Sequence, residues 1–249
     1  MADQPDPQTP EQFEVVVKSA LVSRWQEPPP ALMTTRRIEM RRVADTMRVI
    51  IERLVATAAP TEEIIDAADE LARVALRFDR MRDDGTIYEG HAEAATAGGD
   101  LHASFEHSPF IGRANPLAPP MFLEEVDGTV QGRAFFGSAY EGPPGCVHGG
   151  YVAGAFDELL GATQSLSGAP GMTGTLNVVY RTPTPLHTDL RLVGELDRVE
   201  GRKIFTSGRI YAGDRLCAEA TGIFISIDFG KFIALKEQRD EAEQARLGQ

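Results

Sequence analysis

Cysteine is scarce in this sequence: Cys146 and Cys217 are the two present in 249 residues. That excludes the disulfide framework of a small secreted domain and points to a reducing compartment, with one Cys146–Cys217 bridge as the alternative. Long apolar runs are missing too. No stretch approaches the roughly 20 residues that span a bilayer, so no membrane partner is expected. The opening MADQPDPQTPEQF has neither the basic n-region nor the apolar h-region of a signal peptide, and a cytoplasmic location is expected. Positive charge is in deficit, with 25 Lys and Arg against 37 Asp and Glu, a formal net charge of −12. Such a balance disfavours broad binding to nucleic acid or anionic membrane, although a local basic pocket for an anionic small molecule is compatible with it. His91, His102, His107 and His187 lack metal-ligand spacing to carboxylates or cysteines, so no metal is implied.

What is present describes a globular chain: 42% hydrophobic and 25% charged residues, enough to bury a sizeable core. Residues 1–35 are rich in Pro, Gln and acids and read as a loose arm. Ile38, Val43, Met47, Ile50, Ile51 and Leu54 recur at helical spacing. Pro60 stops that helix, and Thr61 is a candidate cap for a second one carrying Ile64, Leu71, Val74, Ala75 and Phe78. Residues 36–82 are therefore expected as a helical hairpin. Breakers at Gly98-Gly99, Pro109, Pro116 and Pro119-Pro120 mark 83–120 as a wrapping connector, with room for a short strand at Ala103–Phe105.

From Met121 the period becomes two. Strands are expected at Thr129–Tyr140, Thr173–Tyr180, Asp189–Val199, Lys203–Tyr211 and Arg215–Ile227. Glu200-Gly201-Arg202 and Ala212-Gly213-Asp214 read as the hairpin turns between the last three. A helix from Gly149 to about Ser165 interrupts them. It carries Tyr151, Val152, Ala155, Phe156, Leu159 and Leu160 around most of its circumference and must be buried on most sides. One strand, one apolar helix and four more strands give an α+β domain over 121–230, a curved antiparallel sheet wrapped around the helix, with a tail at 231–249.

The chemistry concentrates on that helix. His148-Gly149-Gly150 at its mouth exposes backbone N–H groups at the positive end of the dipole, where a carbonyl oxygen gaining negative charge can be held. Asp157, two turns on, is placed to handle water, so acyl transfer and thioester hydrolysis are indicated. Gly154, Asp157 and Gly161 share a stripe, and a charge among close-packed glycines needs a partner, a ligand or water. Glu158 is the other carboxylate available, and His148 reads equally as a structural cap. Gly149 and Asp157 are eight residues apart, about 12 Å along a helix, whereas attacking water and carbonyl oxygen both lie within roughly 3 Å of one carbon. One helix cannot serve one site with both groups. An antiparallel helix of a second subunit could, so composite sites in a homodimer, or a dimer of dimers, are expected.

His148-Gly149-Gly150 with Asp157, the strand Gly171–Tyr180 with its Asn177-x-x-Tyr180 element, and Thr182-Pro183-Thr184-Pro185 together resemble the hotdog-fold acyl-CoA thioesterases. The similarity is to the phenylacetyl-CoA thioesterase family and to the long-chain acyl-CoA type, over about residues 120–228. It implies the hotdog fold, an acyl-CoA substrate, dimers as the active unit and no separate cofactor, coenzyme A being part of the substrate. It further implies that Gly149, with help from Gly150, polarises the thioester carbonyl and that Asp157 is general base or nucleophile. Thr173 falls where the family orients water, with Thr175 the second choice. Many relatives have Asn six residues before the histidine; here that position is Gly142, which leaves the oxyanion resting on backbone donors. Arg202, Lys203 and Arg181 are candidates for the coenzyme A phosphates, or ordinary solvated charges. Two other functions stay open: a hotdog dehydratase or hydratase, and a non-catalytic acyl-CoA sensor or scaffold using the basic run Arg36, Arg37, Arg41, Arg42, Arg48 and Arg53.

Overall fold

The computed structural model describes residues 33–81, 106–169 and 171–226. The expected arm, the short strand at 103–105 and the C-terminal tail lie outside these residues, apart from the arm's last three positions. Six strands form one antiparallel sheet, β1 (Met121–Val126), β2 (Thr129–Phe135), β3 (Gly171–Tyr180), β4 (Asp189–Glu200), β5 (Lys203–Ala212) and β6 (Arg215–Ser226). Their order across the sheet is β1-β2-β4-β5-β6-β3. The central helix, here α3 (Gly149–Ser165), lies across β2 to β6. The α+β hotdog architecture expected from the sequence is the one observed.

Strand β1 was not anticipated, and its signal was present. Asp127-Gly128 separates Met121–Val126 from Thr129–Phe135, and both turn residues have positive φ, 50° and 75°. That is the geometry a two-residue type I′ hairpin demands, and Asp-Gly supplies it at little strain. The strand beginning at Thr129 also stops earlier than its alternation suggests, at Phe135, and Ser138–Tyr140 form one 3-10 turn. The expected turns at Gly201 and Gly213 are present, both glycines at φ +59°.

Apolar side chains of α3, among them Phe156, Leu159 and Leu160, are fully buried against Leu192, Ile204, Ile210 and Phe224 of the sheet. Each contributes on the order of 1.5–3 kcal/mol. The sheet comes this close because it is small beneath the helix. Gly194 of β4 pairs with Gly208 of β5. A Cβ on Gly194 would stand 2.1 Å from the Thr163 hydroxyl, and one on Gly208 3.0 Å from Leu159 and Leu160. One face of α3 stays uncovered by the sheet: Gly150 and Asp157 are exposed, and Ala153, Gly154 and Gly161 half-buried.

Both N-terminal helices exist, α1 (Thr35–Val55) and α2 (Thr61–Asp79), and α2 has no buried residue. Thr61 is the first helical residue; Pro60 holds the cap position without a side-chain bond. Helix α1 docks through charge as well as through part of its apolar spacing, with Val43, Ile50 and Ile51 half-buried and Ala44 buried. Arg48 donates to the carbonyls of Gly112, Arg113, Asn115 and Ala118 at 2.7–3.0 Å. Arg41 binds Glu106, and Arg37 approaches it at 3.9 Å. Ile38, Met47 and Leu54 remain exposed. The Arg48 guanidinium satisfies several part-buried connector carbonyls at once. The basic run is thus largely spent inside the chain, Arg42 on Glu39 included.

Candidate active site

The mouth of α3 is held from three sides. His148 N donates to Tyr140 O at 2.9 Å, Val147 N to Thr184 O at 2.8 Å, and Gly142 N to Cys146 O at 2.9 Å. Gly142 is packed against His148: a Cβ there would lie 2.8 Å from the histidine Cα. The position where many relatives carry asparagine therefore has no room for a side chain unless the loop moves.

An α-helix leaves its first N–H groups without intrahelical partners, so each has to be accounted for. Tyr151 and Val152 N–H both donate to His148 O, at 2.9 and 3.3 Å. Gly150 N–H donates to Nδ1 of His148 at 3.0 Å. Gly149 N–H has no acceptor among the described residues. Of the two glycines singled out from the sequence, Gly149 is the available donor and Gly150 is not. His148 is the N-cap, its ring spent on the helix backbone. The Gly149 carbonyl accepts from the Tyr180 hydroxyl at 2.8 Å, a brace that the sequence reading did not assign although Tyr180 belonged to the motif.

At the other end of the open stripe, the Thr173 hydroxyl donates to Asp157 Oδ1 at 2.9 Å. Asp157 and Thr173 are both exposed, while Glu158 is half-buried. Thr175 makes no such bond. The reason is a β-bulge: the pairing of β3 with β6 shifts register between Thr173 and Thr175. In a regular strand Thr173 and Tyr180, seven residues apart, would face opposite sides. The extra residue, Gly174, reverses the alternation, so that Thr173 before it and Leu176, Val178 and Tyr180 after it all turn towards α3. Strand β3 thereby reaches both candidate positions on the helix, Thr173 at Asp157 and Tyr180 at Gly149.

The candidate phosphate ligands separate. Arg181, at the Tyr180 end of β3, is paired with Glu219. Arg202 sits in the exposed β4–β5 turn and Lys203 is exposed at the start of β5, with Arg202 Nε donating to Ser226 O at 3.2 Å. Lys203 pairs with Ile225, and Ile204 with Phe224, which in turn pairs with Thr173. The turn thus lies at the same end of the sheet as Thr173, opposite Arg181.

An aromatic group flanks the mouth. Tyr140 and Tyr151 meet edge to face at 4.8 Å, Phe136 lies 5.5 Å from Tyr140, and Phe110 of the connector lies 6.1 Å from Tyr151. Burial pushes the Tyr140 phenol up to about 12, so it stays neutral. Behind it, Glu52 of α1 accepts from the N–H groups of Ser138 and Ala139 at 2.8 and 3.2 Å. Burial acts to raise the Glu52 pKa, but those two bonds, with the Ser138 hydroxyl and His187, outweigh it and hold the carboxyl below its ordinary value. Cys146 and Cys217 are both free thiols. No helix among the described residues is long and apolar enough to cross a membrane, and no cluster of three or more metal-ligating side chains occurs among them.

Residues 144–219 match the family described as the thioesterase superfamily. Acyl-coenzyme A thioesterase THEM4 of Bos taurus is 40% identical over 97 residues, 38% of this chain and 40% of that protein. The Mus musculus THEM4 is 36% identical over 110 residues, 43% of this chain and 47% of that one. The chain thus spans under half the length of either. A crystal structure of a thioesterase superfamily protein is 31% identical, with a TM-score of 0.64, covering 81% of this chain and 95% of the other.

Proposed function

Because the chain belongs to the thioesterase superfamily, we propose that it hydrolyses an acyl-coenzyme A thioester to free coenzyme A and a carboxylic acid. The observation that carries this reading is the division of labour on α3, one N–H at Gly149 with no acceptor among the described residues and one threonine-held carboxylate at Asp157. In the proposed reaction Gly149 N–H, at the positive end of the helix dipole, binds the thioester oxygen as it becomes an oxyanion. The two groups are about 12 Å apart along one helix, so the carboxylate comes from a second copy, and each site pairs Gly149 with the partner's Asp157. Support for a homodimer comes from the stripe of α3 that the sheet leaves open and from β3, which has no further strand beside it among the described residues and exposes Met172.

Thr173 spends its hydroxyl proton on Asp157, which leaves its oxygen lone pairs to accept from water. Asp157 takes a proton from that water as its oxygen attacks the carbonyl carbon. The tetrahedral intermediate collapses, the carbon–sulfur bond breaks, and the coenzyme A thiolate leaves to be protonated. If Asp157 instead attacks the carbonyl itself, water then hydrolyses the resulting anhydride. Arg202 and Lys203 are the proposed phosphate contacts, and Arg181 is the weaker choice because Glu219 occupies it.

The test is thiol release from acyl-coenzyme A by the wild-type chain and by Asp157→Asn. The variant is expected to lose about 10²–10⁴-fold in kcat, the usual worth of a positioned base, while keeping its oligomeric mass. Undiminished turnover in the variant would remove Asp157 from the mechanism.

A further inference from the structure

We propose that Phe110 sets the acyl-chain specificity of this site by walling off the open face of α3 beside Asp157; the inference rests on the thioesterase reading. Phe110 comes from the N-terminal connector, outside the stretch 144–219 that matches the family. Its ring is seated on the backbone of Gly154: a Cβ at that position would meet ring carbons at 2.1, 2.2 and 2.9 Å. Any larger residue at 154 would evict the ring, so Phe110 and Gly154 form a knob and its socket.

The socket lies between the two functional ends of the helix. Gly154 is three residues from Asp157 and five from Gly149, about 4.5 and 7.5 Å along the axis, and it is turned about 60° from Asp157 around the helix. Gly150, Gly154, Asp157 and Gly161 share the face that the sheet leaves open. A thioester held between Gly149 and a partner's Asp157 extends its acyl group along that face, where Phe110 fills the room above the small residues.

The ring is fixed by its loop. Ser108 Oγ accepts from the N–H groups of Phe110 and Ile111 at 3.3 Å, Gly112 N donates to Ser108 O, and Ala114 N donates to Glu106 O. Arg48 and Arg41 of α1 then tie this loop down from outside. A ring held on both sides acts as a wall, and the docking of α1 by arginines acquires a function: it sets the position of Phe110.

The experiment compares kcat/KM of the full chain for acetyl-, butyryl-, octanoyl- and palmitoyl-coenzyme A in wild type, Phe110→Ala, Phe110→Leu and Phe110→Trp. Phe110→Ala should raise the long-to-short ratio by at least about tenfold, the scale on which an apolar pocket discriminates by size. Phe110→Leu should raise it less, and Phe110→Trp should lower it. Opposite shifts from smaller and larger side chains cannot arise from general destabilisation, and the leucine and tryptophan variants carry the test if the alanine variant does not fold. Ratios that stay flat across the variants while wild type turns over would overturn the assignment of Phe110. A wild-type chain inert on every substrate would instead sink the thioesterase reading and this inference with it.

Discussion

Replacing Thr173 with valine removes one hydroxyl while keeping a β-branched side chain of nearly the same shape at the start of β3. The lost contact is a single bond, Thr173 Oγ1 to Asp157 Oδ1 at 2.9 Å. A hydrogen bond to a charged partner is worth about 1.5–3 kcal/mol. In the free chain both side chains are exposed, so water replaces most of that interaction and stability should fall by no more than about 1 kcal/mol. In a closed site water is excluded, and the whole bond bears on the orientation of the carboxylate in the transition state. At about 1.4 kcal/mol per decade the expected loss is roughly 10–150-fold in kcat. KM should change little, because the hydroxyl acts on the carboxylate and the water rather than on coenzyme A. The assay is thiol release at saturating and limiting acyl-coenzyme A, with Thr175→Val as the control. The bulge at Gly174 leaves Thr175 without a bond to Asp157, so the control should behave as wild type. A Thr173→Val enzyme within about twofold of wild type in kcat would refute the argument. So would a Thr175→Val enzyme impaired to the same degree, since the bulge would then not decide which threonine serves the site.

Tyr180→Phe deletes the hydroxyl that braces the Gly149 carbonyl at 2.8 Å. It should cost about 0.5–1.5 kcal/mol of stability and lower kcat more than KM; a loss confined to KM would mean that Tyr180 contacts substrate instead of positioning the helix mouth. Glu52→Gln should flatten the acid side of the stability profile. The native pKa of Glu52 is depressed, so its contribution is complete above the ordinary carboxylate value of 4.5 and is lost as pH falls through the lowered native value. Wild-type and variant melting curves that stay parallel as the medium is acidified would count against that linkage.

The sequence by itself determined most of the elements and singled out Gly149 and Asp157 as candidates. Period-two alternation with Gly201 and Gly213 at the turns is enough to define the β4–β6 meander, since a two-residue loop leaves neighbouring strands no other partner. Apolar residues around most of α3 require burial, and the rise of a helix separates Gly149 from Asp157, whatever the surrounding fold. Other features depend on atoms distant in the chain. Apolar spacing in α1 suggested a docking face, and what it could not show is that carbonyls of residues 112–118, remote in sequence, also hold the helix through Arg48. Which glycine N–H keeps no acceptor among the described residues was decided by the rotamer of His148, which binds Gly150 N–H and not that of Gly149. Which threonine meets Asp157 was decided by a bulge set in the pairing of β3 with β6, and the ring on Gly154 came from a connector more than forty residues away. Local pattern reports what each residue prefers; which hydrogen-bonding groups are left over depends on the partners that folding brings to them.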